Sequence, residues 1–258
     1  MKIIQISDLH FGMHNPALIE PFLNDLRVIK PDLILISGDL TQRAKEDQFN
    51  MAKNFLAQLP APFLIVPGNH DIPLYNPFSR IFNPFYAYKR EISSELLETS
   101  FTNDEINVLG VNSVNPYKIK DGKLSKETLD RIRNHFSDSS GHLNILFFHH
   151  NLNYFSGMHH PLNNAEEFID YLKISPIHMV CTGHLHYANV KIISKNESQK
   201  FALLHAGSLF CERSRDKMNS YYLIETNQLS CDIEMRVFSK DIFVSHQRHA
   251  INFSPTVS

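Results

Sequence analysis

The chain has 258 residues, of which 43% are hydrophobic and 20% charged, and its formal net charge is −2. These figures exclude a disordered or low-complexity chain, and they supply no strong field that would draw in long nucleic acid or anionic lipid. No secretory leader precedes the first apolar run, and no apolar run approaches the ~20 residues of a membrane span, so the expectation is a cytoplasmic protein with one sizeable core.

The run Lys2 to Ser7 reads as a first strand. Asn15-Pro16 then offers a helix cap, followed by Leu18, Ile19, Phe22, Leu23, Leu26 and Ile29 at helical spacing. Pro21 lies inside this pattern and should shift the helix start or kink it. Asp32 to Ile36 is a second buried strand, Arg43 to Leu59 a second helix and Phe63 to Val66 a third strand. Unbroken apolar strands linked by helical crossovers predict a parallel sheet with both faces covered.

Leu74 to Ser100 is aromatic and irregular, and it reads as helix and loop packed over the sheet edge or as a wall of a substrate cleft. Strands are expected at Ile106–Val111, Leu143–Phe148 and Ile177–Cys181, with helices near Lys126–Phe136 and Asn164–Lys173. After Tyr187 four strand-like runs, ending at Phe238, suggest an antiparallel second sheet. No pattern is visible beyond Asp241, so residues 1–240 read as the domain and 241–258 as a tail. Cys181, Cys211 and Cys231 share no metal-type spacing and read as buried free thiols.

The chemistry gathers at the strand ends. The first strand ends at Asp8-Leu9-His10, the second at Gly38-Asp39 and the third at Gly68-Asn69-His70-Asp71. Two later strands end at His149-His150 and at Gly183-His184-Leu185-His186. Alternate residues leaving a strand point to one side, which lets Asp8 with His10, and His184 with His186, converge. The donors Asp8, His10, Asp39, Asn69, His149, His184 and His186 are too many for one tetrahedral zinc. They suit two transition-metal ions sharing a carboxylate, Mn, Fe, Zn or Co, about 3.5–4 Å apart.

The order Asp-x-His, Gly-Asp, Gly-Asn-His-Asp, a strand-end His and Gly-His-x-His resembles the calcineurin-like metallophosphoesterases, and within them the bacterial class III cyclic-nucleotide phosphodiesterases. Asn112-Ser113, Gly122-Lys123-Leu124-Ser125 and Ala206-Gly207-Ser208 are softer points of likeness. The resemblance implies a four-layer α-β-β-α sandwich of two mixed sheets with helices outside and the metal site at the strand C-terminal edge. It assigns Asp8, His10 and His186 to one ion, Asn69, His149 and His184 to the other, and Asp39 to the bridge. It makes a metal-bridging hydroxide the nucleophile and points His70 at the scissile phosphate, off the metals. Asp71 is expected to hold loop amides.

Asn151 stands where that branch usually has proline after the paired histidines. His150 either contacts substrate or is a hydrogen-bonded neighbour. Arg213 and Arg215 share a face if extended, and either form a solvated edge or reach a substrate anion. His159-His160 read as a solvated surface pair. The functional expectation is hydrolysis of a small phosphodiester such as a cyclic nucleotide. Other phosphohydrolases (phosphomonoesterase, nuclease, nucleotide or lipid pyrophosphohydrolase) and, more remotely, a non-catalytic scaffold of the same fold are the alternatives.

Overall fold

The computed structural model describes residues 1–74, 76–92, 97–139, 141–211 and 215–253. Its first half builds β1 (Lys2–Ile6), α1 (Ile19–Ile29), β2 (Leu33–Ile36), α2 (Glu46–Leu56) and β3 (Phe63–Ile65). These three strands run parallel, as the apolar runs require. The Asn15 side chain caps a 3-10 turn over Pro16–Leu18, and α1 starts only at Ile19. Pro21 therefore sits in the first helical turn, where a missing N–H forfeits no hydrogen bond.

Next come α3 (Pro77–Phe82), α4 (Tyr86–Glu91), β4 (Thr99–Thr102), β5 (Ile106–Gly110), α5 (Lys126–Phe136), β6 (Leu143–Phe147), α6 (Ala165–Ile174) and β7 (Met179–Thr182). The remaining strands are β8 (Asn189–Ser194), β9 (Lys200–His205), β10 (Ser220–Asn227), β11 (Ser230–Ser239) and β12 (Ile242–Asn252). One sheet has the order β12-β11-β10-β1-β2-β3 and the other β4-β5-β6-β7-β9-β8. Both are mixed. In the aromatic segment, Tyr88 is fully buried whereas Phe78, Phe82 and Tyr86 are exposed.

The strands after Tyr187 do not form a sheet of their own. β9 inserts parallel to β7, with β8 antiparallel at its edge, whereas β10 joins β1 in the first sheet. A hairpin pattern is local, and it carries no record of which existing edge the hairpin will extend. The segment after Asp241 is likewise not patternless, since β12 pairs with β11 across a bulge at Met235/Arg236. Most of its side chains are exposed, with Phe243 and Ile251 turned inward, so an edge strand of this kind leaves little alternation to read.

Three apolar clusters divide the molecule into four layers. Phe22, Leu26, Phe49 and Phe55 pack α1 and α2 on the outside of the first sheet. Leu35, Val66, Ile145, Cys181 and Tyr222 fill the space between the sheets. Ile132, Phe136, Phe168 and Leu172 pack α5 and α6 on the second sheet. The buried Gln5 side chain donates to the Thr182 carbonyl at 3.0 Å, tying β1 to β7 across the inner layer. The C-terminal ends of β1, β2 and β3 thereby meet those of β6 and β7.

Candidate metal centre

Asp8, His10, Asp39, Asn69, His149, His184 and His186 all lie just beyond strand ends at this junction. The first four come from one sheet and the last three from the other. All but His186 are buried. Their convergence does not come from strand alternation, because β1 stops at Ile6 and β7 at Thr182. Asp8, His10, Asp39, His184 and His186 instead have positive φ, at 55°, 48°, 53°, 75° and 51°. Each chain leaves its strand in left-handed turns that aim polar side chains back over the sheet edge. That backbone is strained for residues other than glycine, and strain of this sort gathers at working sites.

Hydrogen bonds hold the turns in place. Asp8 N–H donates to Gly38 O at 3.1 Å and His10 N–H to Asp39 O at 3.0 Å. Two glycines allow close approach. A Cβ on Gly183 would stand 1.8 Å from Ser7 Oγ and 2.6 Å from Asp8 Oδ2, and one on Gly68 would stand 2.1 Å from Asp39 Oδ1. Glycine at both positions lets the facing loops close on one another.

The donor atoms fall into two groups. Asp8, His10 and His186 form one, and Asp39, His149 and His184 the other, each within 4.8 Å, and a third set of His10, Asp39 and His70 meets the same limit and overlaps both. In the first, Asp8 Oδ1 lies 3.2 Å from His186 Nε2 and 3.6 Å from His10 Nε2, and the two nitrogens are 2.9 Å apart. In the second, His149 Nε2 lies 3.3 Å from Asp39 Oδ2, 3.1 Å from Asn69 Oδ1 and 3.2 Å from His184 Nδ1. Asp39 Oδ2 is also 3.6 Å from His10 Nε2, so one carboxylate oxygen faces both groups.

These spacings match ligands around an ion. Bonds of roughly 2.0–2.2 Å put neighbouring donors about 3.3–3.6 Å apart in a tetrahedral shell and about 2.8–3.1 Å apart in an octahedral one. Asp8 Oδ1 is buried without a hydrogen-bonding partner, which a cation would supply. His149 Nδ1 lies 2.8 Å from the Ser37 carbonyl. A carbonyl only accepts, so Nδ1 carries a proton and Nε2 is the atom turned inward, able to bind a cation once it has given up any proton of its own.

The electrostatics favour positive charge here. Burial would raise the Asp8 and Asp39 carboxyls, yet His186 and His149 beside them hold both well below the usual range. Burial opposes charge on His149 and His186 too, but the Asp39 and Asp8 carboxylates push these imidazoles up to about 9 and about 10. Burial keeps His10 and His184 neutral. A pocket that retains two protons against desolvation is built to retain cations.

His70 is half-buried beside the first group, its ring 4.9 Å from that of His10. Its Nδ1 lies 2.7 Å from the Gln42 carbonyl, which fixes the Nδ1–H tautomer and leaves Nε2 for whatever enters the cleft. The His70 N–H donates to Asp39 Oδ1 at 2.8 Å. Asp71 is wholly committed to scaffolding, accepting from the N–H groups of Leu40, Thr41 and Gly68 at 2.9–3.1 Å.

His150 is buried, and its Nδ1 lies 2.8 Å from Ser113 Oγ. Its ring packs 4.7 Å from that of His184, and its Nε2 is buried without a hydrogen-bonding partner among the described residues. Arg213 lies outside the described residues. Arg215 lies in the wall of a cavity of about 420 Å³ that opens onto His10, His70, His184 and His186. His159 is half-buried where a fully solvated pair was expected, its ring tilted at 5.0 Å from that of His184 and its Nε2 meeting Arg215 Nη2 at 3.2 Å in an exposed contact. Lys120 and Gln42 also line the cavity, and sequence reasoning passed over both. Each sits in a loop with no motif, and only the folded chain brings them to the mouth.

Residues 1–188 match the sequence model of the calcineurin-like phosphoesterases. The chain belongs to that family. As a calcineurin-like phosphoesterase it is a metal-dependent hydrolase of phosphoric esters, from a family that works with two metal ions. A probable cyclic nucleotide phosphodiesterase from Vesicomyosocius okutanii is 26% identical to it over 252 residues, covering 90% of this chain and 98% of that protein. A probable glycerophosphodiester phosphodiesterase from Arcobacter nitrofigilis is 26% identical over 196 residues, 73% of this chain and 67% of that one. Among solved structures, a dimetal phosphatase from Danio rerio has the same fold, with a TM-score of 0.70 at 11% identity over 98% of this phosphoesterase and 99% of that chain. No helix among the described residues is long and apolar enough to cross a membrane.

Proposed function

We propose that this phosphoesterase hydrolyses a small phosphodiester of the cyclic-nucleotide class. Asp8, His10 and His186 would hold one transition-metal ion, Asn69, His149 and His184 a second, and Asp39 would bridge them. Manganese, iron, zinc or cobalt suits this mixed imidazole and carboxylate set. When bound, the ions supply Lewis-acid activation of the phosphoryl group and of water.

The protein's own groups do the rest. Asp39 turns Oδ2 toward both donor groups while its Oδ1 accepts from the His70 N–H, so the bridge and the cleft-facing imidazole are positioned together. With Nδ1–H fixed on the Gln42 carbonyl, a His70 ring that also carries a proton on Nε2 would give that proton to the leaving oxygen and be left as the neutral Nδ1–H tautomer.

The single observation that carries the reading is Asp39 Oδ2, 3.3 Å from one group and 3.6 Å from the other. The cyclic-nucleotide choice is supported by the name of the relative that aligns over nearly its full length. The three buried free thiols fit a reducing compartment such as the cytoplasm.

A panel tests the reading. Chelator-treated protein reloaded with Mn²⁺ is given 3′,5′-cyclic nucleotides, dinucleotides, phosphomonoesters and glycerophosphodiesters, and kcat/KM is compared. Cyclic nucleotides should lead. Faster hydrolysis of monoesters would replace the phosphodiesterase reading, and faster hydrolysis of glycerophosphodiesters would replace the substrate class.

A further inference from the structure

The cavity over the metal centre is lined on its outer wall by two cations that the metal site itself does not use, Lys120 and Arg215. Lys120 lies between β5 and α5, and Arg215 between β9 and β10, so two loops far apart in the chain contribute to one cavity lining. Among the described residues, no carboxylate lies within 4.0 Å of either.

Both loops are anchored. Arg80 is nearly buried and donates through Nε to the Pro116 carbonyl at 2.8 Å and through Nη2 to the Lys118 carbonyl at 2.6 Å, which fixes the approach to Lys120. The Arg215 N–H donates to the His186 carbonyl at 2.9 Å, and its guanidinium reaches the Gly157 carbonyl and His159 Nε2. Of the five N–H donors of a guanidinium, these contacts occupy two and leave the others for a ligand.

Charge bookkeeping makes the pair informative. Two metal ions held by the donor set would already supply the cationic charge that a phosphodiester monoanion needs. Two further cations close to the ions would repel them unless a second anion lay between, and an uncompensated pair in a cleft concentrates anions.

We propose that Lys120 and Arg215 form a second anion subsite, and that the preferred substrates are phosphodiesters carrying a further phosphate or carboxylate beside the scissile group. This rests on the phosphodiesterase reading above. Within the cyclic nucleotides it selects those with a second phosphoryl group.

The test uses one chromogenic phosphodiester in two forms, thymidine 5′-(p-nitrophenyl phosphate) with and without a 3′-phosphate, and follows nitrophenolate release by Mn²⁺-loaded enzyme. The 3′-phosphorylated form should have a kcat/KM at least about tenfold higher, expressed mainly in KM. The ratio should shrink as ionic strength rises, and it should approach one in the Lys120→Met/Arg215→Ala double variant. Lys120→Met alone, which leaves the Arg215 loop contacts intact, should lower the ratio by an intermediate amount. Because the ratio is taken within each protein, partial loss of folded enzyme cancels. Equal kcat/KM for the two forms in the wild type, or an undiminished ratio in the double variant, overturns the subsite and leaves the phosphodiesterase reading standing. Turnover of neither form removes both.

Discussion

The backbone N–H of His184 donates to Asp8 Oδ2 at 2.9 Å, which fastens the end of a strand in one sheet to the end of a strand in the other. With Oδ2 committed, Asp8 is left a single oxygen, Oδ1, for the first donor group. Gly183 permits this contact, because any side chain there would strike Ser7 and Asp8. Gly183→Ala should therefore push the two loops apart and reduce bound metal from about two ions per chain to one or fewer. Elemental analysis of the purified variant checks this, and full metal content would show that the loops can move aside.

Asp39→Ala removes the oxygen that faces both donor groups. The loss of several kcal/mol of charge stabilisation corresponds to a fall in kcat/KM of at least about a hundredfold. Metal content should drop with it. Unaltered turnover in a variant confirmed by circular dichroism would remove the bridge from the account.

His70→Ala should behave differently, because His70 faces the cleft without belonging to the proposed ligand set. Metal content should be unchanged, while kcat should fall by roughly 10²–10⁴-fold on substrates with an alkoxide leaving group. With p-nitrophenolate, which leaves without a proton, the deficit should be much smaller. Equal deficits on the two leaving groups would mean that His70 is not a proton donor.

Ion binding should displace protons. In the ion-free protein His149 and His186 titrate near 9 and 10, held there by the Asp39 and Asp8 carboxylates against burial, so both are protonated at pH 7.5. A metal ligand must be the neutral imidazole. Loading should release about two protons per chain, and apparent affinity should rise with pH up to about 10. Titration calorimetry in buffers of different ionisation enthalpy reads the number, and zero release would contradict the charge balance of the site.

His205 gives a stability prediction separate from the metals. Burial, with a smaller push from Lys191, lowers it to about 4, whereas an unfolded histidine titrates near 6.5. The unfolded chain therefore binds the extra proton first. The stabilisation is present above pH 6.5 and is lost as pH falls through 6.5 toward 4, by about 3 kcal/mol when complete. Urea denaturation of His205→Gln should show a shallower loss across that window than the wild type, and identical slopes would refute the assignment.

Much of the centre was legible because its donors follow apolar runs, and a polar residue after a buried strand has few places to go. The means of convergence was not legible. Alternation along a strand served as the argument for Asp8 with His10, yet left-handed φ values past the strand end do the work, and side-chain identity does not encode them. The two sheets were expected, but which of them β9 or β10 would extend depends on contacts between residues far apart in the chain. The place of His159 beside His184 is hidden from the sequence for a similar reason, since it is set by a loop whose course follows no periodic pattern.

The donors are split between the two halves of the chain, from Asp8 near its start to His186 well past its middle. A growing polypeptide leaving the ribosome can therefore complete the first β-α-β-α-β unit and still hold only part of either donor group. Neither donor group can be complete until the chain has been made as far as His184 and His186. A product that stops before β7 lacks both His184 and His186, so it carries neither donor group complete.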